Sequence, residues 1–336
     1  MNGTDADSNP ANALAPASTS EALRRIVGWI QKYNVVLVFL ILLLVSSSIS
    51  DVFFTERNLM NLLRQLSGVG IISMGVLLVI MVGGIDLSVG SVLALGSVLS
   101  AFTLTGHAMP LPAALAVTVL AGAMAGGLSG YLVSMRGVAA FIATLAVMTI
   151  ARGVSFIVSK GAPIPIDNAI MIDYIGNGYI LNVPIPVVLL FLAFAATLFL
   201  LRYTVWGRMV TAIGSNEAAV AYAGVRVAPY KFAVFVVSGC FAALAGIVST
   251  ARTGVGSPLV GVGIELDAIA AVVVGGASLN GGKGTALNTL LGVFIIGMIG
   301  NIMNLLNVPA YPQQVIKGCI IILAVLVQGM KPKHAY

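Results

Sequence analysis

The stretch VGGIDLSVG, Val82–Gly90, separates two long apolar runs, and a similar stretch, VGGASLNGG, spans Val274–Gly282. The two stretches agree at five of nine positions. Each places a pair of glycines after an apolar run, where glycine breaks a helix or lets two backbones approach closely. The repeat therefore predicts two helix breaks in a chain that is otherwise built from apolar helices.

The composition is that of a membrane protein. Of the 336 residues, 59% are hydrophobic and only 8% are charged, whereas a soluble domain carries about 25% charged residues. No soluble fold of this length could bury so much apolar surface, so membrane lipid is the expected surroundings. The net charge of +6 then concerns orientation in the membrane, and no nucleic-acid partner is expected.

A membrane-spanning helix needs about 20 mostly apolar residues. Helices are favoured over strands because the apolar runs are long and do not alternate. The expected fold class is all-α, a polytopic membrane protein with about ten spans. The eighth predicted segment is short, so the sequence does not decide whether it crosses the whole membrane. The ten predicted spans are 33–50, 60–82, 88–105, 111–134, 138–159, 184–202, 229–251, 265–279, 285–306 and 312–328.

The chain divides into a polar N-terminal tail and a single membrane domain. Residues 1–20 cannot bury enough apolar surface to offset the entropy of ordering, so we expect them to be disordered. Residues 21–336 then form one transmembrane domain. The basic residues before the first apolar run also resemble a signal peptide, but the long preceding region and the nine further spans favour a retained first span.

The basic residues predict the orientation. With the N-terminus in the cytoplasm, only Arg57, Lys160 and Arg252 lie on the outer side. Cytoplasmic loops carry the excess of lysine and arginine, so both termini are predicted to be cytoplasmic. The eleven basic residues on the inner side are Arg24, Arg25, Lys32, Arg136, Arg202, Arg208, Arg226, Lys231, Lys283, Lys331 and Lys333.

An ion-coupled carrier and a membrane-embedded transferase are two function classes that need particular residues in or near the membrane. An ion-coupled carrier needs carboxylates inside its spans, but Asp86, Glu265 and Asp267 are all expected at span ends. A membrane-embedded transferase needs clustered acids or a histidine or cysteine site on a sizeable loop. His107 and His334 stand alone, and both Cys240 and Cys319 lie in apolar runs; neither a metal site, a disulfide nor a cofactor is expected.

The two glycine-rich stretches are expected at the cytoplasmic ends of spans. There Asp86 or Ser88 either caps the next helix, which is a structural role, or takes part in gating, since broken helices mark transport paths. The residues predicted to form these breaks are Gly83, Gly84, Asp86, Ser88, Gly90, Gly275, Gly276, Gly281 and Gly282.

The second stretch runs into GGKGT, Gly281–Thr285, which imitates a phosphate-binding loop without completing it. Ala277 stands where that loop needs its first glycine, and Gly284 where it needs serine or threonine. We therefore expect no nucleotide site here, so that any ATPase is a separate chain.

The long inner loop, about 203–228, is predicted to contain a short helix. Ser215 or Asn216 serves as its N-cap, Glu217 complements the helix dipole, and Gly224 ends the helix. The helix either packs on its own domain or docks a soluble partner, whose groove could close around its small side chains. The predicted coupling residues are Gly214, Ser215, Asn216, Glu217, Ala218, Ala219 and Gly224.

Polar residues inside the predicted spans are candidates for the lining of a path through the protein. Asn288, Asn301 and Asn304 are costly against lipid and should point into the protein, where they either bond neighbouring helices or line the path. Arg152 should pair or reach water for the same reason. Glycines 122, 126 and 130 are spaced by four and predict a close-packed helix face, inside one protomer or between two.

The order of GGIDLSVG, GSNEAAVAYAGV and VVVGGASLNGGKGT resembles the monosaccharide permeases of ABC importers, most of all the ribose-type permease subunit. The resemblance covers nearly the whole chain after residue 20. It implies a homodimeric permease in the bacterial inner membrane, a tandem ATPase docked at Gly214–Gly224, and a periplasmic sugar-binding protein. It also implies ribose as the best single substrate, with another sugar, a polyol or an autoinducer as alternatives.

Overall fold

The computed structural model describes residues 19–105 and 109–329. Within these ranges the chain is mostly helical. The predicted disorder of residues 1–20 falls outside the described residues except for Thr19 and Ser20, which begin α1. His107 and His334 also lie outside them. The helices are α1 (Thr19–Ile49), α2 (Glu56–Met81), α3 (Val89–Thr105), α4 (Leu111–Ser134), α5 (Ala140–Ser159), α6 (Ile185–Tyr203), α7 (Val205–Ser215), α8 (Glu217–Tyr222), α9 (Ala228–Thr253), α10 (Ile264–Val274), α11 (Ala286–Leu305) and α12 (Ala310–Gly329).

Two short strand pairs depart from the all-α prediction. They lie at the end of the molecule where α5 ends and α6 begins, in connections whose prolines favour extended backbone. β1 (Ile164–Pro165) pairs with β4 (Val255–Gly256), and β2 (Tyr179–Ile180) pairs with β3 (Val183–Pro184). A π-helical turn, Ile170–Gly176, lies between β1 and β2.

Six helices of the described chain are long and apolar enough to cross a membrane: α2, α4, α5, α6, α9 and α11. Residues 33–49 of α1 and the whole of α3 are apolar but shorter. The chain is therefore a multi-pass membrane protein, as predicted. The eighth predicted span, 265–279, is only the 11-residue helix α10, about 16 Å long at 1.5 Å per residue, which is too short to cross a hydrocarbon core of about 30 Å.

Helix α9 lies at the centre and packs closely on α4 through glycines. A Cβ atom placed on Gly130 would lie 2.9 Å from the Phe232 carbonyl oxygen, and Cβ atoms on Gly122 and Gly126 would overlap the carbonyl oxygens of Gly239 and Phe235. The predicted close-packed face is therefore confirmed, and it lies inside one protomer. α2 and α3 pack against other faces of α9, and their side chains fill the main core.

The segment between β4 and α10, residues 257–263, returns into the molecule. Gly261 lies against Gly90 and Leu93 at the start of α3. The same part of α3 faces α9 between Ser238 and Gly246, which is the middle of that 26-residue helix. The chain thus returns from the end of α9 to the level of its middle before α10 begins.

Candidate functional site

The first glycine pair ends α2 with a left-handed turn. Gly83 has φ 78° and donates its N–H to the Ile80 carbonyl oxygen at 2.9 Å. Gly84 donates to the Val79 carbonyl oxygen, also at 2.9 Å. These two bonds form a Schellman motif, which favours glycine at the left-handed position because any Cβ is strained there.

The second pair ends α10 by the same motif, shifted by one residue within the repeat. Gly276 has φ 84° and donates to the Val273 carbonyl oxygen at 2.8 Å, while Ala277 donates to that of Val272 at 3.1 Å. Gly275 is instead a site of close approach, because a Cβ there would lie 2.5 Å from the Asn288 carbonyl oxygen. The repeat therefore specifies two helix ends. Gly83 and Gly275 occupy the same position in the repeat, but Gly83 forms the left-handed turn whereas Gly275 allows the close approach.

The first glycine turn meets the last two glycines of the second stretch, Gly281 and Gly282, and the end of α7. Gly282 donates its N–H to the Met81 carbonyl oxygen, the last of α2, at 3.0 Å. A Cβ on Gly281 would lie 2.7 Å from the Gly214 carbonyl oxygen and 2.9 Å from the Gly83 nitrogen, and a Cβ on Gly214 would overlap the Met81 carbonyl oxygen. We call Met81, Gly83, Gly214, Gly281 and Gly282 the glycine junction; it joins the end of α2 and the connection that follows α10 to the predicted coupling segment.

The rest of the first stretch leaves this end of the molecule, which corrects the expectation that all of it lies at the end of a span. Residues 84–88 have no regular secondary structure, and they carry Asp86 to Ser238, ten residues along α9 from its first residue, Ala228. Helix α3 begins only at Val89. The physical reason is that the Schellman turn is followed by five residues without helical structure, so α3 does not start directly at the glycine pair.

Asp86 is buried and accepts three hydrogen bonds. Its Oδ1 accepts from the Ser88 N–H at 2.9 Å and from the Ser88 hydroxyl at 2.6 Å, and its Oδ2 accepts from the Ser238 hydroxyl at 2.8 Å. Asp86 thus organises the turn that precedes α3 and ties it to α9.

Replacing Asp86 separates its hydrogen-bonding role from a need for charge. Asp86→Asn keeps a carbonyl oxygen for the Ser88 N–H, so we expect a folded permease with nearly unchanged transport. Asp86→Ala leaves two buried hydroxyls and an N–H unpaired, at a cost of about 1–3 kcal/mol for each unsatisfied group, and should lower the thermal unfolding midpoint in detergent. An Asp86→Asn protein of normal stability that does not transport would contradict the hydrogen-bonding role.

Glu265 and Asp267 also lie away from span ends, contrary to prediction. Glu265 lies against Gly90 at the level of the middle of α9, because α10 begins inside the molecule. Its carboxylate attracts Arg152 and accepts the Gly263 N–H at 3.2 Å. Asp267 forms an ion pair with Lys317 of α12 at 2.8 Å. Each of these carboxylates thus has a partner within the described chain.

The coupling segment contains two helices where one was predicted. The additional helix is α7, whose residues, Val205–Ser215, are polar enough to resemble a loop in the sequence but pack beside α6 and α2. Asn216 has extended backbone, and its side chain caps α8 by accepting the Ala219 N–H at 3.0 Å. Ser215 is the last residue of α7 and donates its hydroxyl to Thr211 instead. Gly224, with φ 82°, follows α8.

Helix α8 projects from the protein. None of its residues is buried, and the side chain of Tyr222 is 92% exposed. Glu217 pairs with Lys231 of α9 at 2.5 Å, beside a cavity of about 510 Å³ that the first glycine turn also lines. Sequence reasoning missed Tyr222, although an aromatic residue among alanines is the type that anchors protein interfaces.

The three predicted path asparagines do not share a surface. Asn301 and Asn58 of α2 exchange two side-chain hydrogen bonds, of 2.9 and 3.1 Å, so Asn301 joins two helices. Asn304 is exposed and accepts from Gln313 at 2.8 Å. Asn288 lies in the first turn of α11, where its N–H is capped by Thr285. The asparagines are thus placed for bonding between and at the ends of helices.

Comparison with known proteins gives close relatives over most of the chain. Residues 58–325 match the family described as branched-chain amino acid transport system / permease component. A ribose import permease protein of Haemophilus influenzae is 44% identical over 290 residues, covering 85% of this chain and 90% of its own. The ribose import permease protein of Bacillus subtilis is 40% identical over 305 residues, 90% of this chain and 94% of its own.

An L-arabinose ABC transporter permease protein of Azospirillum brasilense is 36% identical over 319 residues, which are 95% of this chain and 92% of the relative. No solved structure matches the chain. The matched residues include both glycine turns, α7, α8 and the 257–263 segment. The chain therefore belongs to the permease components of ABC importers, in the family of the branched-chain amino acid permease component.

Proposed function

We propose that the chain is the membrane permease of an ABC importer that passes ribose across the bacterial inner membrane. The observation that carries the proposal is the identity of 40–44% to ribose import permeases along most of the chain. The L-arabinose relative, at 36%, makes another monosaccharide the second candidate. In this proposal the permease hydrolyses no ATP and needs no cofactor.

The ATPase is proposed to dock on α8. A permease without its own nucleotide site receives work through a contact, and α8 offers an exposed anchor, Tyr222, among small residues. Gly214, near the end of α7, is itself part of the glycine junction, and Glu217 pairs with Lys231 of α9. Movement of α8 therefore has two routes into the membrane domain, through the glycine junction and through α9.

The proposed assembly contains two copies of the permease, with a periplasmic sugar-binding protein delivering the sugar. In this topology the ten predicted crossings are made by α1–α6, α9, α10 with its preceding segment, α11 and α12. The basic bias of eleven residues to three in the sequence supports cytoplasmic termini. The connection that contains α7 and α8 then faces the ATPase, and the strand pairs face the binding protein.

Labelling of single cysteines tests this topology. In a variant without Cys240 and Cys319, we place one cysteine at Ala162 or at Ala218, both of which are exposed. An impermeant thiol reagent added to intact cells should label position 162 and leave position 218 unlabelled until the membrane is opened. Labelling of position 218 from outside, with none at 162, contradicts the orientation.

The substrate proposal is tested by uptake into proteoliposomes that contain the permease and its ATPase. Labelled ribose is supplied with the cognate binding protein, and unlabelled ribose or arabinose is added as competitor. We expect uptake that ribose suppresses at the lower concentration. If arabinose suppresses uptake at a lower concentration than ribose does, arabinose would replace ribose as the assigned substrate. The binding protein alone is titrated in parallel, since it selects the sugar before the permease does.

A further inference from the structure

The segment 257–263 places irregular backbone at the middle of the membrane domain. Gly261 packs against Gly90, and both lie level with the midpoint of α9, as described above. On the other side, Arg152 of α5 donates to the carbonyl oxygens of Pro258 and Val260 at 2.5 and 2.9 Å. The segment is therefore held at a fixed depth between α3 and α5.

One side of this segment is uncovered. Leu259 is 62% exposed and Val262 is 75% exposed, and the next outward residue, Leu266 of α10, is also exposed. Irregular backbone at membrane depth occurs only where protein covers it or where it lines a water-filled space, because lipid satisfies no peptide groups. The uncovered side therefore does not face lipid.

The neighbouring face of α5 continues this surface. Gly153, next to Arg152, has open space where a side chain would be, and Phe156 one turn later is exposed. Thr149 on the same side is exposed and bonds only its own helix. The surface thus combines mid-depth irregular backbone with exposed apolar side chains and small residues, and the irregular backbone is what distinguishes it from a lipid-facing wall.

We propose that Leu259 and Val262 form the central constriction of the sugar pathway together with the same two residues of a second copy. The inference rests on the proposed function, which supplies two copies and a sugar path. An apolar ring closes a pore by excluding water. Arg152 is the positioning residue that holds the ring at its depth, and α10 connects the ring to the glycine junction and hence to α8.

Cross-linking between copies tests the constriction without any need for a substrate. The variant Val262→Cys, in a background without Cys240 and Cys319, is oxidised in membrane vesicles or treated with a short bifunctional thiol reagent. We expect covalent dimers, and we expect sugar uptake to stop on oxidation and to return on reduction. The matched control is Leu192→Cys, equally apolar and exposed on α6, which should stay monomeric on gels.

Failure of the constriction is distinguishable from failure of the proposed function. A Val262→Cys permease that transports sugar but gives no dimer with either reagent overturns the constriction and leaves the proposed function intact. Dimers that transport as well as the reduced protein also overturn it. Dimers in vesicles whose unmodified permease transports no sugar contradict the proposed function and support the pairing of the two segments.

Sealing of the pathway tests the apolar ring and Arg152. Val262→Asn should admit water and give a several-fold increase in ribose leak from vesicles without ATP. Arg152→Gln should leak as well, while Arg152→Lys, which keeps a cation for the two carbonyl oxygens, should restore the seal. If Val262→Asn vesicles leak no more ribose than wild type, the apolar ring is overturned. If Arg152→Gln neither leaks nor loses transport activity, the positioning role of Arg152 is overturned.

Discussion

Gly214→Ala is expected to disconnect the coupling segment from the membrane domain. The added methyl would overlap the Met81 carbonyl oxygen and lie 2.5 Å from the Gly282 nitrogen, which are the two atoms hydrogen-bonded to each other in the junction. Backbone cannot yield as a flexible side chain does, so we expect a loss of roughly 2–4 kcal/mol in stability, the upper part of the range for overpacking and a lost hydrogen bond.

The measurement is thermal unfolding of the purified permease together with sugar-stimulated ATP hydrolysis of the assembled complex. The control is Gly300→Ala in α11, where no atom lies within 4 Å of the new methyl group; it should be neutral or slightly stabilising, because alanine favours a helix. If Gly214→Ala matches Gly300→Ala in both assays, the glycine junction does not connect the coupling segment.

Ala219→Glu is expected to abolish retention of the ATPase while sparing the membrane domain. Ala219 is exposed on α8, so the glutamate is solvated in the free permease and costs little stability. Within a closely fitting partner groove the same side chain brings bulk and an unpaired charge, which is strongly unfavourable on desolvation. We expect pull-down of the ATPase and its stimulation by the loaded binding protein to fall at least tenfold, which corresponds to about 1.4 kcal/mol.

The matched control is Ala162→Glu, the same substitution at an exposed alanine in the connection after α5, which is proposed to face the binding protein. This variant should retain the ATPase. Gly224→Pro adds an independent probe, because proline requires φ near −65° and Gly224 has φ 82°. It should redirect the chain after α8 and also weaken docking. Full retention of the ATPase by both Ala219→Glu and Gly224→Pro would move the docking surface away from α8, most simply to the connection around Lys283.

The sequence predicts helix breaks at the glycine pairs well, because a left-handed turn after an apolar run depends on local backbone chemistry. Gly224 and Asn216 were identified as the stop and a possible cap of α8 for the same reason. Such local signals do not specify depth. The sequence gives no measure of how far Asp86 travels after Gly84, so its position beside Ser238, in the interior, could not be predicted.

The interior position of Glu265 was missed for a related reason. Counting apolar residues predicts on which side of the membrane a charged residue lies, but it does not give the depth of that residue. The 257–263 segment contains apolar residues and glycines, which fit either a loop or a span. Its depth depends on long-range contacts, with Gly90 on α3 and Arg152 on α5. The positions of the carboxylates therefore do not argue against an ion-coupled carrier. It is the family relationship that distinguishes an ABC importer permease from such a carrier.

The most direct test of the account is therefore the source of energy for transport. Proteoliposomes with the permease, its ATPase and the sugar-binding protein are loaded with ATP, ionophores collapse all ion gradients, and ribose accumulation is measured for wild type and Ala219→Glu. We predict that wild type accumulates ribose under these conditions and that Ala219→Glu does not. Accumulation driven by an ion gradient without ATP, or ATP-driven accumulation that is unchanged in Ala219→Glu, would contradict this prediction.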